Sequence, residues 1–527
     1  MVVSAHPLAS EVGINILKKG GNAADATIAV QFALSVVYPS AGNIGGGGFF
    51  VYRTKDGYCS TLDFREKAPL LSTRDMYLDS CNNVVKDLSL YSHLAVGVPG
   101  TVDGMVNIHK KYGQLPWEEL VQPAIDLATN GFELTSLEAN KLNRFNKTKG
   151  RVNKNSDYFK ENYIEGDSIC LPQLSKTLVL IRDYKRAGFY SGETAKLLVK
   201  EMSLNGGRIT QHDLDSYQSI WRDPIIGFYK GYKIISMSPP SSGGILLTQM
   251  LKMAEDFPLR DFGFHSLNSI HVMTEIEKLS FADRAKHLGD PDFYNVPEKL
   301  LIDSSYLLER SSKIKMHSVI SSSDIYAGKL NLKESEETTH FSIVDKYGNA
   351  SSLTTTLNGS FGSGIIVDRA GFLLNNEMDD FSIFPGHPNM YGLIGGEANA
   401  VEPGKRMLSS MTPTIIEKDG NLFMVLGTPG GSTIITAVFQ TIINVIDYGM
   451  NIEHAVNSPR FHHQWYPDEI KMEKDFIKDS NLIFQLKTLN HNLNFVSSMN
   501  RVDAILVKNK KLFGGADRRG DDHVSFF

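Results

Sequence analysis

The residues whose order carries most chemistry lie between positions 334 and 358. An acidic segment, Glu334-Ser-Glu-Glu337, meets Thr338-Thr339. An alternating run then leads to Asp345, a turn at Lys346-Tyr347-Gly348-Asn349, and a second run from Ala350 to Asn358. That pattern predicts a β-hairpin opened by a threonine. Cleavage between Glu337 and Thr338 would free an α-amine beside the Thr338 hydroxyl. Such an amine titrates at about 7.7 to 8.0, against roughly 10.4 for lysine, so it can serve as base for the hydroxyl of its own residue. A threonine pair at a strand start is also what β-branched preference alone would place there.

Other sites admit two readings each. Arg65, flanked by Asp63 and Glu66, could be a surface ion-pair residue or a fork gripping a carboxylate with two parallel bonds. Glu377 and Asp380, three apart, could be an acid/base or metal pair, or solvated loop acids. Gly430 and Gly431 precede a helical run, where their amides could face a developing oxyanion or simply start the helix. Ser409 and Ser410 read as a loop end. Gly45 to Gly48 are followed by no Lys-Ser/Thr, so close passage of backbone is expected there rather than a phosphate cradle. His340, His462 and His463 show no metal-binding spacing and are expected to be structural; neither metal nor cofactor is expected.

Three stretches then act together: Thr338 to Asn349, Thr354 to Asn358, and Leu374-Asn-Asn-Glu-Met-Asp-Asp-Phe-Ser382. They resemble the processing and active sites of the γ-glutamyltranspeptidases, self-cleaving enzymes of the N-terminal nucleophile class, and Gly20 to Phe50 resembles that family too. The resemblance implies an α+β, four-layered αββα fold cut into a large subunit, 1–337, and a small one, 338–527, which remain associated. It implies Thr338 as nucleophile, Thr356 as its hydroxyl partner, and Gly430 and Gly431 as the oxyanion hole. It gives the substrate carboxylate to Arg65, Ser409 and Ser410, the amino-acid end to Asn358, and the α-ammonium to Glu377 and Asp380. It makes Pro385 to Gly396 a lid closed by Tyr391. The implied activity is hydrolysis and transfer of γ-glutamyl groups, with glutathione as donor and amino acids or peptides as acceptors. Alternatives are a related acylase for β-lactam side chains or poly-γ-glutamate, and an unprocessed homologue without activity.

The elements that must position these residues are readable in part. Pro7 to Lys19 has the pattern of a helix, and Asn22 of a cap for a second through Val36. A strand is expected from Phe49 to Arg53 and another ending near Leu62. Leu94 to Asp256 reads as mostly helical scaffold, Asn140 to Asp157 as an exposed connection, His265 to Leu288 as a long helix and Met316 to Glu337 as a surface linker. With 527 residues, 42 % hydrophobic content and a net charge of −5, the chain can bury a large core and lacks the basic footprint of a nucleic-acid binder. Cys59, Cys81 and Cys170 are widely spaced, which predicts neither zinc site nor disulfide framework. No apolar run reaches membrane-spanning length. The first residues lack the pattern of a signal peptide, while the family resemblance implies a periplasmic or extracellular enzyme.

Self-cleavage is expected between Glu337 and Thr338, leaving pieces of 337 and, by subtraction from 527, 190 residues. N-terminal sequencing of the smaller piece should begin at Thr338, and Thr338→Ala should stay a single chain. Any other start would remove Thr338 as the nucleophile.

Overall fold

Hydrogen bonding of one aspartate sets the central hairpin. The computed structural model describes residues 1–147, 152–153, 159, 162–325 and 338–527. Thr339–Val344 and Ala350–Thr356 pair antiparallel, with Ala350 opposite Val344 and Thr355 opposite Thr339. One further step in that register sets Thr356 across from Thr338. Buried Asp345 holds the turn: its carboxylate accepts from the amides of Tyr347 (2.8 Å) and Asn349 (3.0 Å) and from Asn349 Nδ2 (2.7 Å). It also accepts from Ala23 N at 3.0 Å, the first residue of a helix. The hairpin is thereby tied to the layer above it.

That helix, Ala23–Val37, is buried along all 15 residues, as expected for a segment apolar on every face. A capping box between Asn22 and Asp25 begins it, satisfying amides that would otherwise be orphaned. The following glycines enter the strand Gly47–Arg53. A Cβ on Gly46 would lie 2.0 Å from the Thr356 carbonyl oxygen, so the run permits backbone to pass against backbone.

The hairpin sits inside a seven-stranded sheet, in spatial order His523–Ser525, Val2–Ser4, Thr339–Val344, Ala350–Thr356, Gly47–Arg53, Cys59–Asp63 and Ile220–Arg222. A six-stranded sheet faces it, ordered Lys511–Gly515, Asp503–Lys508, Asn421–Gly427, Thr414–Lys418, Tyr232–Ser236 and Ile225–Tyr229. Val3, Val51, Val344, Val425 and Ile505 form an apolar layer shared by strands of both. Helices including Pro7–Lys18, Ala23–Val37 and Trp117–Asn130 build one outer core. Gly243–Ala254, Leu267–His287 and Thr433–Ile446 build the other. The result is the αββα arrangement of an α+β fold. Each sheet contains strands from before and after Thr338.

Two expectations need correction and one gains detail. The stretch from Leu94 to Asp256 is mostly helical as expected, but it also carries the strands Ile220–Arg222, Ile225–Tyr229 and Tyr232–Ser236. The last two are five residues each and meet at Lys230-Gly231, both at positive φ; runs so short leave little periodic signal. Of the connection expected from Asn140 to Asp157, Asn140 to Asn146 is instead the end of the helix Ser136–Asn146, which buries Leu142 and Phe145, while 148–151 and 154–157 lie outside the described residues. The presumed linker is pinned at least as far as Ser322, which is buried and donates from Oγ to the Trp465 carbonyl at 2.6 Å, while Trp465 Nε1 donates to the Ser322 carbonyl at 3.0 Å. Residues 326–337, with the expected cleavage residue Glu337, lie outside the described residues.

Asp345→Ala, made in a Thr338→Ala chain so that one covalent species is compared, should lower unfolding free energy by about 2 to 4 kcal/mol, since several charged hydrogen bonds in a buried turn are lost together. Chemical denaturation measures it; a change below roughly 0.5 kcal/mol would mean that the turn does not depend on this carboxylate.

Candidate active site

One cavity is lined by Arg65, Thr338, Thr356, Asn358, Glu377, Asp380, Tyr391, Ser409, Ser410 and Gly431, together with Leu393, Met411 and Ile434. Residues singled out in the sequence thus converge, although Arg65 and Asp380 are 315 positions apart. Gly430 faces a second cavity, which also has Thr338 in its wall.

Arg65 leaves the end of the strand Cys59–Asp63, its amide donating to Asp63 Oδ1 at 3.0 Å and its carbonyl accepting from the Tyr217 hydroxyl at 2.8 Å. Its side chain has no solvent exposure to speak of. Nη1 meets Glu377 Oε2 at 2.6 Å, Nη2 meets Asp380 Oδ2 at 2.5 Å, and Glu66 Oε2 lies 3.6 Å from Nη1. One guanidinium therefore faces three buried carboxyls. Burial pushes the Glu66 carboxyl up to about 8 and those of Glu377 and Asp380 upward as well, with Arg65 opposing the shift in each case. The cluster is short of positive charge. The family resemblance implies Arg65 and the acids at opposite ends of a ligand; in the structure they pair with one another.

Thr356 ends its strand, and its Oγ1 accepts from Asn358 N at 2.7 Å. Asn358 has φ +72°, and its Nδ2 donates to the Asn376 carbonyl at 3.0 Å. Tyr391 closes the cavity: its ring is buried and its hydroxyl donates to the Asn358 carbonyl at 2.7 Å. The surrounding loop is strapped down by Asn389 Nδ2 to Asp380 Oδ1 (3.0 Å), Met390 N to Asp379 Oδ2 (2.7 Å) and Gln464 Nε2 to the Tyr391 carbonyl (3.0 Å).

Gly430 and Gly431 join the strand Asn421–Gly427 to the helix Thr433–Ile446 at φ +134° and +55°. A Cβ on Gly430 would stand 2.0 Å from Asn500 Nδ2, and one on Gly431 would stand 2.4 Å from the Tyr391 ring. Both conformation and space exclude a side chain.

Arg284 is a site residue that the sequence reading missed. It is buried on Leu267–His287, donating from Nε to Ser242 Oγ at 3.0 Å and from Nη2 to Ser410 Oγ at 3.3 Å. Burial lowers its pKa to about 10. Charges without a polar face on that helix, at Glu275, Glu277, Lys278, Asp283 and Arg284, were the available signal. The three histidines stay out of the cavity: His340 Nδ1 is 2.9 Å from Thr354 Oγ1, His462 Nδ1 is 2.9 Å from Thr436 Oγ1, and His463 Nε2 is 3.2 Å from Asp468 Oδ1. His271, Glu275 and His491 form another buried cluster. Its members bond to one another, to Lys278 and to the backbone of Lys315 and Ile320, so that it holds the segment leading to Ser322.

Thr338 lines one cavity with Arg65 and its buried carboxyl partners. The family described as Gamma-glutamyltranspeptidase matches residues 9–527. The chain belongs to this family. The glutathione hydrolase proenzyme of Escherichia coli (strain K12) is 45 % identical over 530 residues, covering 100 % of this chain and 91 % of that protein. The crystal structure of Helicobacter pylori γ-glutamyltranspeptidase is similar at 45 % identity and a TM-score of 0.60, over 63 % of this chain and 96 % of that one. Cephalosporin acylase from Bacillus halodurans is similar at 26 % identity and a TM-score of 0.86, over 99 % of this chain and 94 % of that one. This γ-glutamyltranspeptidase-family chain therefore shares its whole fold with a cephalosporin acylase.

If the Gly430 amide faces the oxyanion, as the resemblance implies, Gly430→Ala should slow both self-cleavage and release of 4-nitroaniline from a γ-glutamyl anilide by about 10² or more, because the added Cβ, 2.0 Å from Asn500 Nδ2, displaces that amide from its acceptor. Gly420→Ala is the control: it shares a positive φ, +75°, but has nothing within 4 Å of the added Cβ, and it should cost only stability, about 1 kcal/mol. Equal activity in the two variants would remove the glycine pair from the reaction.

Proposed function

We propose that this chain is a self-cleaving γ-glutamyltransferase and glutathione hydrolase. The observation carrying the reading is that Thr338 shares one cavity with an amino-acid clamp made of Arg65, Glu377 and Asp380. A γ-glutamyl donor has an α-carboxylate suited to Arg65, Ser409 and Ser410, and an α-ammonium suited to Glu377 and Asp380, with Asn358 beside them. The ammonium supplies the positive charge that the buried acids lack.

Once the bond before Thr338 is cut, the freed amine takes the proton of Thr338 Oγ as that oxygen bonds to the γ-carbonyl carbon, with Thr356 bonding the nucleophile. The Gly430 and Gly431 amides receive the oxyanion. Collapse breaks the C–N bond, and the proton leaves with the departing amine. Water then attacks the threonine ester to give glutamate, or an amine attacks to give a new γ-glutamyl amide. In either case the attacking group's proton passes by way of the Thr338 amine to Oγ. Tyr391 closes over the acyl group and limits entry of water. Protons and an acyl group are all that move, so no cofactor is called for.

The pieces 1–337 and 338–527 remain a heterodimer in this reading, because strands of both interleave in each sheet. Among the described residues no helix is long and apolar enough to cross a membrane. We place the enzyme in the periplasm or outside the cell, as the family resemblance implies. The fold likeness to an acylase makes side-chain acylase the second reading. Arg65 alone would suit the carboxylate of an acyl side chain; the surplus of buried carboxyls is what calls for an ammonium next to it.

The test compares L-γ-glutamyl-4-nitroanilide with glutaryl-4-nitroanilide, which lacks only the α-ammonium. The first should be cleaved at least about 10²-fold better, as expected for loss of a desolvated charge pair worth on the order of 2 to 5 kcal/mol; the reverse order would favour the acylase. In the same assay Arg65→Lys should lose kcat/KM by a similar factor although charge is kept, because an ammonium cannot bridge Glu377 and Asp380 and still fork a ligand carboxylate. Near wild-type kcat/KM would remove Arg65 as the anchor.

A further inference from the structure

One buried helix carries metal-ligand residue types at metal-ligand spacing, away from Thr338. His271, Glu275 and Lys278 lie at i, i+4 and i+7 on Leu267–His287, so their side chains share one face. His491 meets that face from the turn after Ser480–Thr488. One nitrogen from each imidazole and one Glu275 carboxylate oxygen lie within 4.8 Å of one another, and all three residues are buried. None of the three lines either cavity that contains Thr338. Sequence spacing could not reveal the set, because His491 is 220 positions from His271.

Hydrogen bonds aim the ligand atoms. His271 Nε2 is 2.8 Å from the Lys315 carbonyl oxygen, which can only accept, so the ring N–H sits at Nε2 and a neutral His271 keeps a lone pair at Nδ1. That lone pair faces His491 Nε2 across 2.8 Å, with the rings inclined at 66° rather than stacked. An imidazole held at its outer nitrogen by a backbone carbonyl is the arrangement that orients histidine ligands in metal sites. The backbone fixes His491 as well: its amide donates to the Leu486 carbonyl at 3.1 Å, and Asn490 before it turns the chain at φ +71°. Glu275 accepts from Ile320 N at 3.1 Å and from Lys278 Nζ at 2.9 Å, which leaves about half of the four or so lone-pair directions of its carboxylate. Lys278 also lies 3.5 Å from Asp468, so its charge has a second partner.

We infer that His271, Glu275 and His491 form a binding site for a divalent metal ion of the zinc type, held by two imidazoles and one carboxylate with water in the fourth position. Zinc accepts this combination of donors at about 2.0 to 2.2 Å from each. Tetrahedral bonds of that length put neighbouring donors about 3.3 Å apart, so imidazole nitrogens now at 2.8 Å have to part by roughly 0.5 Å. His491 keeps its single N–H by moving it from Nε2 to Nδ1, and no proton is lost. His271 and Glu275 are 0 % exposed and His491 is 5 %, so the ion enters from the side of His491. Bound there, it ties the helix to the His491 turn and, through Lys315 and Ile320, to the segment that runs to Ser322. The site does not depend on the γ-glutamyl reading.

The test uses the untagged full-length protein, dialysed against a chelator and titrated with Co²⁺ as a coloured probe for a zinc site. Wild type should take up one equivalent and develop the visible band of four-coordinate Co²⁺, and one equivalent of Zn²⁺ should bleach it. Zn²⁺ should also raise the melting temperature as the logarithm of its concentration, as a ligand of the folded state does. His271→Gln and His491→Gln, each keeping a polar side chain, should weaken Co²⁺ binding by at least about tenfold and lose the band. No band in wild type overturns the site, and means that Lys278 completes the cluster without a metal. A band that survives in a folded histidine variant overturns it too. Should neither variant fold, proton resonances of Co²⁺-loaded wild type decide: two paramagnetically shifted ring N–H signals are expected, from His271 Nε2 and His491 Nδ1, and any other number overturns the assignment.

Discussion

A guanidinium with no access to water needs compensating charge, and Arg65 draws it from distant parts of the chain. Glu66 adjoins it in sequence, while Glu377 and Asp380 arrive from the far side of Thr338. Tyr217 and Met407 supply further bonds, to its carbonyl and from its Nε. Removing one member of such a cluster leaves buried charge unpaired, a cost of roughly 3 to 5 kcal/mol. The segments that meet at Arg65 are thereby held in one arrangement, and the lid joins them through Asn389 on Asp380.

The same cluster explains how a site can be both firmly built and ready for a ligand. Carboxyls in excess of the single guanidinium have their pKa values raised by burial. In the proposed reading a zwitterionic head group would relieve that imbalance by bringing an ammonium, and its carboxylate would share the guanidinium and Ser410, which Arg284 braces. Binding energy at the head group would then serve to place the γ-carbonyl at Thr338, which is where catalysis gains from remote contacts.

Interleaved strands reconcile self-cleavage with integrity. The central hairpin lies between Val2–Ser4 on one side and Gly47–Arg53 on the other, so a cut before Thr338 breaks one peptide bond while every ladder across it remains. Just before the undescribed segment, Ser322 and Trp465 hold the chain through reciprocal bonds. A cut there, as proposed, would expose an amine without releasing the sheet that positions it.

The sequence by itself determined the local features. Pro7 and Asn22 mark helix starts because caps act within a single turn. The Gly348-Asn349 turn between alternating runs specifies the hairpin, and two glycines before an apolar helical run mark a turn that no side chain fits. Family resemblance added which of these residues belong to one site. Tertiary structure alone decided that Arg65 pairs with the acids expected to face a ligand, that Arg284 reaches Ser410 from what was legible only as a long helix, and that Ile225–Ser236 supplies two strands at a sheet edge. The division has a physical cause: caps, turns and periodicity are set by neighbours a few residues away, whereas a buried charge takes its partner from whichever segment the packing of two sheets brings against it.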